Sequence, residues 1–295
     1  MQTFLWLGGC LLIAEPPSSV NGTKHPFDVP DDAVFTQVAV GGGSVCGLTD
    51  EGWVFCEFFD RGPDDIFHEP EGTIVALAGG GLYGDYCAVN ARGKLTCWGW
   101  SFDDPDMSPP SGSSWSTVSV GGGSGCALDT DGFATCFGNT SGPAPRTSTL
   151  QGLQFSQIDV GEYGSTCGIL INGEPICFGW LDGDAPVDQA ITHVQVGTDA
   201  CGVIPREGLT CWGFTAPEQT LTGNIVALEA GDSHFCAVMG GGDIRCIGDA
   251  EHGEANDQDG DFVDVSASHD QTCALTRSGR IRCWGDVNGN RFPFE

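Results

Sequence analysis

Fourteen of the fifteen cysteines in this chain fall into seven pairs that share one internal spacing, C-x9-C. The pairs are Cys46/Cys56, Cys87/Cys97, Cys126/Cys136, Cys167/Cys177, Cys201/Cys211, Cys236/Cys246 and Cys273/Cys283. Successive first cysteines stand 41, 39, 41, 34, 35 and 37 residues apart. A unit recurring at such a period marks a solenoid, a propeller or an array. Each copy reads V-x-V, a glycine-rich turn, C-x-L, a second glycine turn, then x-C-W-G. In the third copy these are Val118-Ser119-Val120-Gly121, Cys126-Ala127-Leu128, Asp131-Gly132 and Cys136-Phe137-Gly138. The apolar stretches are short, often β-branched and bounded by Gly and Asp, which is strand patterning rather than helix patterning.

The spacing also sets a register. A hairpin centred on Glu51 puts Cys46 opposite Cys56 and Leu48 opposite Val54, all on one face, because strand side chains alternate. Opposed strand residues have Cβ atoms about 4.5–5.5 Å apart and disulfide Cβ atoms about 3.5–4.5 Å. A cross-strand bridge therefore needs only modest tightening. The turn glycine recurs six residues after the first cysteine as Gly52, Gly93, Gly132, Gly173, Gly242 and Gly279, and unit five departs with Pro205 and Gly208. A unit of roughly 35–40 residues makes three or four strands whose two faces are both apolar, and radial stacking of neighbours buries both. The sequence predicts an all-β, seven-bladed propeller with three to four antiparallel strands and one cross-strand disulfide per blade. Paired cysteines at this density point to an oxidising compartment. Free core thiols and metal ligation are the alternatives, although C-x9-C is a poor zinc spacing.

The chain divides into a leader at 1–14, a Pro/Ser-rich linker at 15–34 and the propeller at 35–295. The apolar run from Phe4 to Ala14 is too short to span a bilayer and reads as a secretory leader. Leu7-Gly8-Gly9-Cys10 is similar to the bacterial lipoprotein cleavage box, which would make Cys10 a lipidated first residue and the only membrane attachment. Cleavage after Ala14 and an uncleaved leader are the other readings, and the nine residues before Cys10 carry no Lys or Arg. The tail at 291–295 is the natural partner for the segment before Phe35.

The run CALTRSGRIRCWGD at 273–286 resembles the regulator-of-chromosome-condensation repeat family of seven-bladed propellers, as do CAVNARGKLTCWGW at 87–100 and CALDTDGFATCFGN at 126–139. Six units keep a bulky apolar residue and Gly after the second cysteine, and unit one has Glu57-Phe58 there. In repeat length the chain is most similar to small secreted bacterial members such as the β-lactamase-inhibitor propellers. The resemblance implies the fold. Family members act as exchange factors, chromatin binders, inhibitors and surface proteins, so it implies no single activity.

Forty acidic residues against eleven basic ones give a net charge of −29. Phosphate-backbone binding needs a basic footprint, so nucleic acid is excluded as a partner, and a basic protein or polymer is favoured. No phosphate loop, nucleophile elbow or metal-spaced histidine set is present, so no catalytic residue, cofactor or metal is expected. The acidic stretch at 254–261, with a faint likeness to a calcium loop, reads as a surface loop. The loops between the V-x-V strand and the first cysteine should emerge at one propeller mouth, carrying Tyr83, Asp85, Glu162, Tyr163, Asp199, Asp232, His234, His269 and Asp270. His234 is also a repeat position with a structural reading. Trp100, Phe102, Trp115 and Trp180 should sit at the other edge, packed between blades or available for contact. The function expected is an exported binding module for a protein or surface polymer, at the cell envelope or outside it. A structural surface component is the alternative. A carboxylate-dependent carbohydrate-active enzyme and an intracellular exchange factor rank below both.

Overall fold

A computed structural model describes residues 29, 32–58, 70–81, 84–103, 108–112, 114–138, 150–161, 163–181, 185, 186 and 189–286. Among the described residues, twenty-one strands form seven three-stranded antiparallel sheets, each a meander of consecutive strands. The sheets occupy residues 35–58, 74–98, 115–138, 155–178, 194–212, 225–248 and 262–285, and are blades 1 to 7 in that order. The leader, Cys10, most of the linker and the tail at 287–295 lie outside the described residues.

The cysteine spacing fixes the hairpin register as predicted. In every blade the first cysteine stands directly opposite the second, as in Cys46↔Cys56, Cys126↔Cys136, Cys236↔Cys246 and Cys273↔Cys283. Seven disulfides follow, each with its Cα atoms 4.0–4.1 Å apart. The six recurring turn glycines all adopt left-handed φ values, from 73° at Gly93 to 94° at Gly242. Only a residue without Cβ does this at little cost. In blade 5 the shifted turn puts a non-glycine residue, Arg206, at φ 72°.

The first strand of each blade faces the axis. These seven inner strands line a central channel of about 270 Å³. Six of them carry a register shift near their start, for example between Phe35 and Gln37 and between Phe262 and Asp264. Such bulges bend a strand and increase its twist, as blades fanned about an axis require. Blade 5 has the shortest inner strand, Val194–Val196, and no shift.

The core is divided among seven seams rather than gathered in one centre. At each seam the cysteines of one blade face the next blade. Cys46, Leu48 and Cys56 pack against Ile74, Tyr86, Ala88 and Trp98 of blade 2, and Cys87, Val89 and Cys97 pack against Val118, Val120 and Phe137 of blade 3. A bulky residue after the second cysteine thus covers the disulfide of the preceding blade. Trp212 does so closely enough for its indole Nε1 to lie 3.4 Å from Cys177 Sγ.

Stacking does not bury every bridge completely, which corrects the expectation that both faces of each blade are covered. All seven first cysteines are buried, but the second cysteines Cys211, Cys246 and Cys283 are only half-buried. All three stand on outer strands, and the residue that should cover each is a poor lid. Cys211 of blade 5 has Ile247, smaller than an aromatic ring, in its seam. Cys246 of blade 6 has Trp284, itself half-buried and tied through its indole N–H to the Glu254 carbonyl (2.8 Å). The Cys246 backbone N–H turns instead to Asp257 Oδ1 (3.0 Å) in the blade 6 linker. Cys283 of blade 7 faces blade 1, where Glu57 occupies the covering position.

The ring closes in the same way as the other seams. Cys273, Leu275 and Ile281 of blade 7 pack on Phe35, Val38 and Val40 of blade 1, Phe35 N–H donates to Gly279 O (3.1 Å), and Val40 N–H donates to Ser266 Oγ (3.0 Å). Among the described residues no strand is shared between the first and last blades. Among the described residues the fourth-strand position survives as isolated bridges, Phe133↔Gln154, Gly208↔Thr222 and Ile244↔Gln258. No helix among the described residues is long and apolar enough to cross a membrane.

Candidate functional site

A three-stranded meander runs up, down and up, so the end of its first strand, the start of its second and the end of its third share one rim. The loops before the first cysteines and the segments after the second cysteines therefore lie at the same mouth. This corrects the sequence reading that put Trp100, Phe102 and Trp180 at the opposite edge from Tyr163. Trp180 follows the outer strand of blade 4 in a short 3-10 turn, Gly179–Leu181, and its backbone N–H donates to Ser165 Oγ (3.3 Å) in the loop bearing Tyr163. Phe102 and Trp115 do pack between blades: Phe102 lies 6.0 Å from the Phe137 ring, and both join the seam of blades 2 and 3.

Among the nine mouth residues named from sequence, Tyr83 and Glu162 lie outside the described residues. Asp85, Asp199 and His234 share one repeat position, two before the first cysteine, and all three are buried. The other blades place Ser44, Ser124, Ser165 and Gln271 there, also buried. The position works as an internal latch. Asp85 Oδ1 accepts from Ser101 N–H (3.0 Å), and Asp199 accepts from Thr215 N–H (2.9 Å) and Thr215 Oγ1–H (2.5 Å). Each bond ties down the segment leaving the outer strand. Burial pushes the Asp85 carboxyl up.

His234 bonds across a seam instead. Its Nε2 lies 2.8 Å from Thr272 Oγ1, and Thr272 Oγ1–H donates to the Glu254 carbonyl (3.0 Å). The threonine proton being used there, the imidazole must donate through Nε2. Burial lowers the His234 pKa to about 4, against an opposing pull from Asp249, so the ring is neutral at pH 7. Asp232 is half-buried, and its carbonyl accepts from Thr198 N–H (2.9 Å) of blade 5.

The remaining residues of the set reach solvent. Tyr163 is 53% exposed. Two aromatic residues join it at a second repeat position, three after the second cysteine: Trp180 of blade 4 is 76% exposed and Phe214 of blade 5 is 100% exposed. The same position holds Phe59, Trp100, Asn139, Asp249 and Asp286 in the other blades. Sequence reasoning passed over Phe214, although its spacing from Cys211 equals that of Trp180 from Cys177. His269 and Asp270 form the turn of blade 7, with His269 at φ 47° and its Nδ1 3.0 Å from Asp270 Oδ2.

The acidic stretch at 254–261 is held by arginines. Arg245 reaches Asp259 (2.9 Å), Asp243 (3.3 Å) and Asp257 (3.9 Å), and Arg277 reaches Asp261 (2.9 Å). Its aspartates serve as a surface loop.

Sequence reasoning also missed the carboxylates around the channel. Asp159 and Glu229 occupy the inner-strand position opposite the first cysteine, and Asp264 stands two residues before that position. Asp159 bridges three blades: Ser119 Oγ–H donates to Oδ1 (2.7 Å) and Val196 N–H donates to Oδ2 (2.7 Å). Gln195 Nε2–H donates to Glu229 (3.2 Å), and Val38 N–H donates to Asp264 (3.4 Å). Loss of hydration raises the Asp159 and Asp264 carboxyls to about 6. It raises Glu229 well above the usual carboxylate range, with repulsion from Asp159 and Asp264 adding to the effect. A polar side chain between the apolar residues of a V-x-V strand was the available signal.

Comparisons with known proteins agree with this geometry. The family model of the regulator of chromosome condensation (RCC1) repeat matches residues 225–254 and 262–291, which are blades 6 and 7 with the segments that follow them. No curated protein sequence matches the chain. Among solved structures, the entire ectodomain of the Physcomitrella patens receptor kinase CR4 is 25% identical, with a TM-score of 0.60 over 74% of this chain. The chain covers 63% of that ectodomain, under two thirds of its length. The CRINKLY WD40 ectodomain of the Arabidopsis thaliana receptor kinase ACR4 is 17% identical with a TM-score of 0.68, over 89% of this chain and 99% of that one. Human WBSCR16 is 14% identical with a TM-score of 0.64, over 84% and 87% of the two chains. With two blades matched by the repeat model and the same framework repeated in register through all seven, the chain is similar to the RCC1-like repeat β-propellers.

Proposed function

We propose that this chain is an exported binding module that holds a protein or surface polymer against one mouth of its propeller. The observation that carries the reading is the exposure of three aromatic side chains, Tyr163, Trp180 and Phe214, on the adjoining blades 4 and 5 at that mouth. Leaving large aromatic side chains in water forgoes about 1.5–3 kcal/mol of burial each, and aromatic anchors on a rigid scaffold are the residues that dominate binding energy. Their positions recur in the repeat, so the scaffold aims them at the rim rather than into a seam. Seven bridges in a chain of this size fit an oxidising compartment, outside the cell or in its envelope. A net charge of −29 favours a partner with basic groups.

The test uses the intact oxidised protein, immobilised and offered extracellular protein and surface polysaccharide fractions separately. A Trp180→Ala/Phe214→Ala variant should melt at the wild-type temperature and lose at least tenfold in affinity for the retained partner. Equal retention by wild type and variant would refute this use of the mouth and favour a structural surface component.

A further inference from the structure

We propose that His252, Glu254 and Asp270 form a binding site for a borderline transition-metal dication of the Zn2+ class, at the seam between blades 6 and 7. One ligand atom from each of the three residues falls within 4.8 Å of the others. His252 and Glu254 lie in the segment linking blade 6 to blade 7, and Asp270 lies in the turn between the inner and middle strands of blade 7. Sequence spacing hides the set, because the fold alone brings these segments together.

The separation of His252 and Asp270 suits a shared ion better than a direct contact. His252 Nδ1 lies 3.6 Å from Asp270 Oδ2, too far for a good hydrogen bond. Two donors on one tetrahedral Zn2+, with bonds of about 2.0–2.2 Å, stand about 3.3–3.6 Å apart. Imidazole with two carboxylates is a donor set that suits Zn2+ over Mg2+ or Ca2+, which prefer oxygen alone.

The surroundings hold the ligands in place. Glu254 is only 2% exposed. Its carbonyl accepts from Thr272 Oγ1–H (3.0 Å) and Trp284 Nε1–H (2.8 Å), and its Oε2 accepts from His252 N–H (2.9 Å). The neutral His234 ring completes this chain from blade 6 through Thr272. Asp270 is oriented by His269 Nδ1 at 3.0 Å, an outer-shell partner of the kind that tunes ligand geometry. His252 stands 48% exposed, so an ion held by three protein ligands keeps a fourth coordination position toward solvent, as open zinc sites do. The inference does not depend on the exposed aromatic residues, which belong to blades 4 and 5.

The experiment titrates Zn2+ against the full oxidised chain, with any free thiol alkylated, in competition with a chromophoric chelator. One equivalent should bind per chain. His252→Ala, an exposed change that leaves the fold intact, should weaken it at least tenfold, and Asp270→Asn likewise. His269→Ala should cost about tenfold, the lower end for outer-shell partners, and Asp261→Asn on the nearby acidic surface should cost nothing. Co2+ should give visible d–d bands of tetrahedral intensity in the wild type and not in His252→Ala. Less than one equivalent, or an affinity unchanged in His252→Ala, would overturn the proposal. Equal binding of Mg2+ and Zn2+ would overturn it too, because general surface acidity would then account for the uptake.

Discussion

Neutralising one channel carboxylate should stabilise this protein at neutral pH and leave it unchanged in acid. Asp159 and Asp264 have their pKa values raised by burial from 3.8 to about 6. The folded state therefore holds protons that the unfolded chain has released. Stability from this source is complete below about pH 4 and is lost as pH rises through about 6. A shift of roughly two units corresponds to about 3 kcal/mol per group at 1.36 kcal/mol per unit. The side chains are only half-buried, and solvent screening reduces the figure to about 1–2 kcal/mol each. Glu229 is the group to change, because it repels both neighbours and its hydrogen bond from Gln195 survives in Glu229→Gln. The variant should gain on the order of 1–2 kcal/mol at pH 7.5 and nothing near pH 4. Equilibrium guanidinium unfolding of the oxidised protein at both pH values measures it. Glu207→Gln, an exposed carboxylate on the rim of blade 5, makes the same change in net charge and should move stability by less than about 0.5 kcal/mol. Wild-type stability that climbs from pH 4 to pH 7.5, or equal gains in the two variants, would refute the reasoning. The second outcome would assign the pH dependence to global repulsion at a net charge of −29.

Replacing Cys126 and Cys136 together by Ala removes one bridge with a sequence separation of 10. Chain-entropy reasoning gives a loss of about 2–3 kcal/mol, read as a lower guanidinium midpoint. Asp199→Ala should cost about 1–3 kcal/mol, because two donors of Thr215 lose their acceptor. Because Thr215 adjoins Phe214, the freed segment should also weaken partner retention, by less than Phe214→Ala does.

Much of this fold was legible because its information is local. The C-x9-C spacing and a glycine at the sixth position set the hairpin register, and each disulfide closes within its own blade. How well a bridge is covered was not legible in the same way, since the lids over Cys246 and Cys283 come from the next blade around the ring. Glu57 shows the limit of the repeat itself. It stands where other blades carry Trp, Phe or Ile, and burial raises its pKa. Tyr163 is exposed in its loop, but Asp85, Asp199 and His234 were not separable from it by loop position. Their burial depends on the segment that returns over them after the outer strand. Trp180 was misplaced because a residue following a cysteine was assigned to an edge without tracing strand direction. Three strands bring the chain back to the rim it first reached. The cluster of His252, Glu254 and Asp270 was illegible for another reason. Its members converge through the packing of blade 7 on the blade 6 linker, a relation with no fixed sequence interval.

Because every bridge joins strands adjacent in the chain, oxidation can keep pace with synthesis. The second cysteine of a blade emerges ten residues after the first, before the cysteines of the next blade exist to compete with it. Closing so short a loop carries a smaller entropic penalty than closing the longer loops of the wrong pairings, and N-terminal segments fold first as a chain is made. Order of appearance can thus disfavour the many wrong pairings open to fourteen cysteines without later reshuffling. Only the seam between the last blade and the first has to wait for the whole chain. Among the described residues it is also the one seam joined by no chain connection, so its closure is a docking of two separate surfaces.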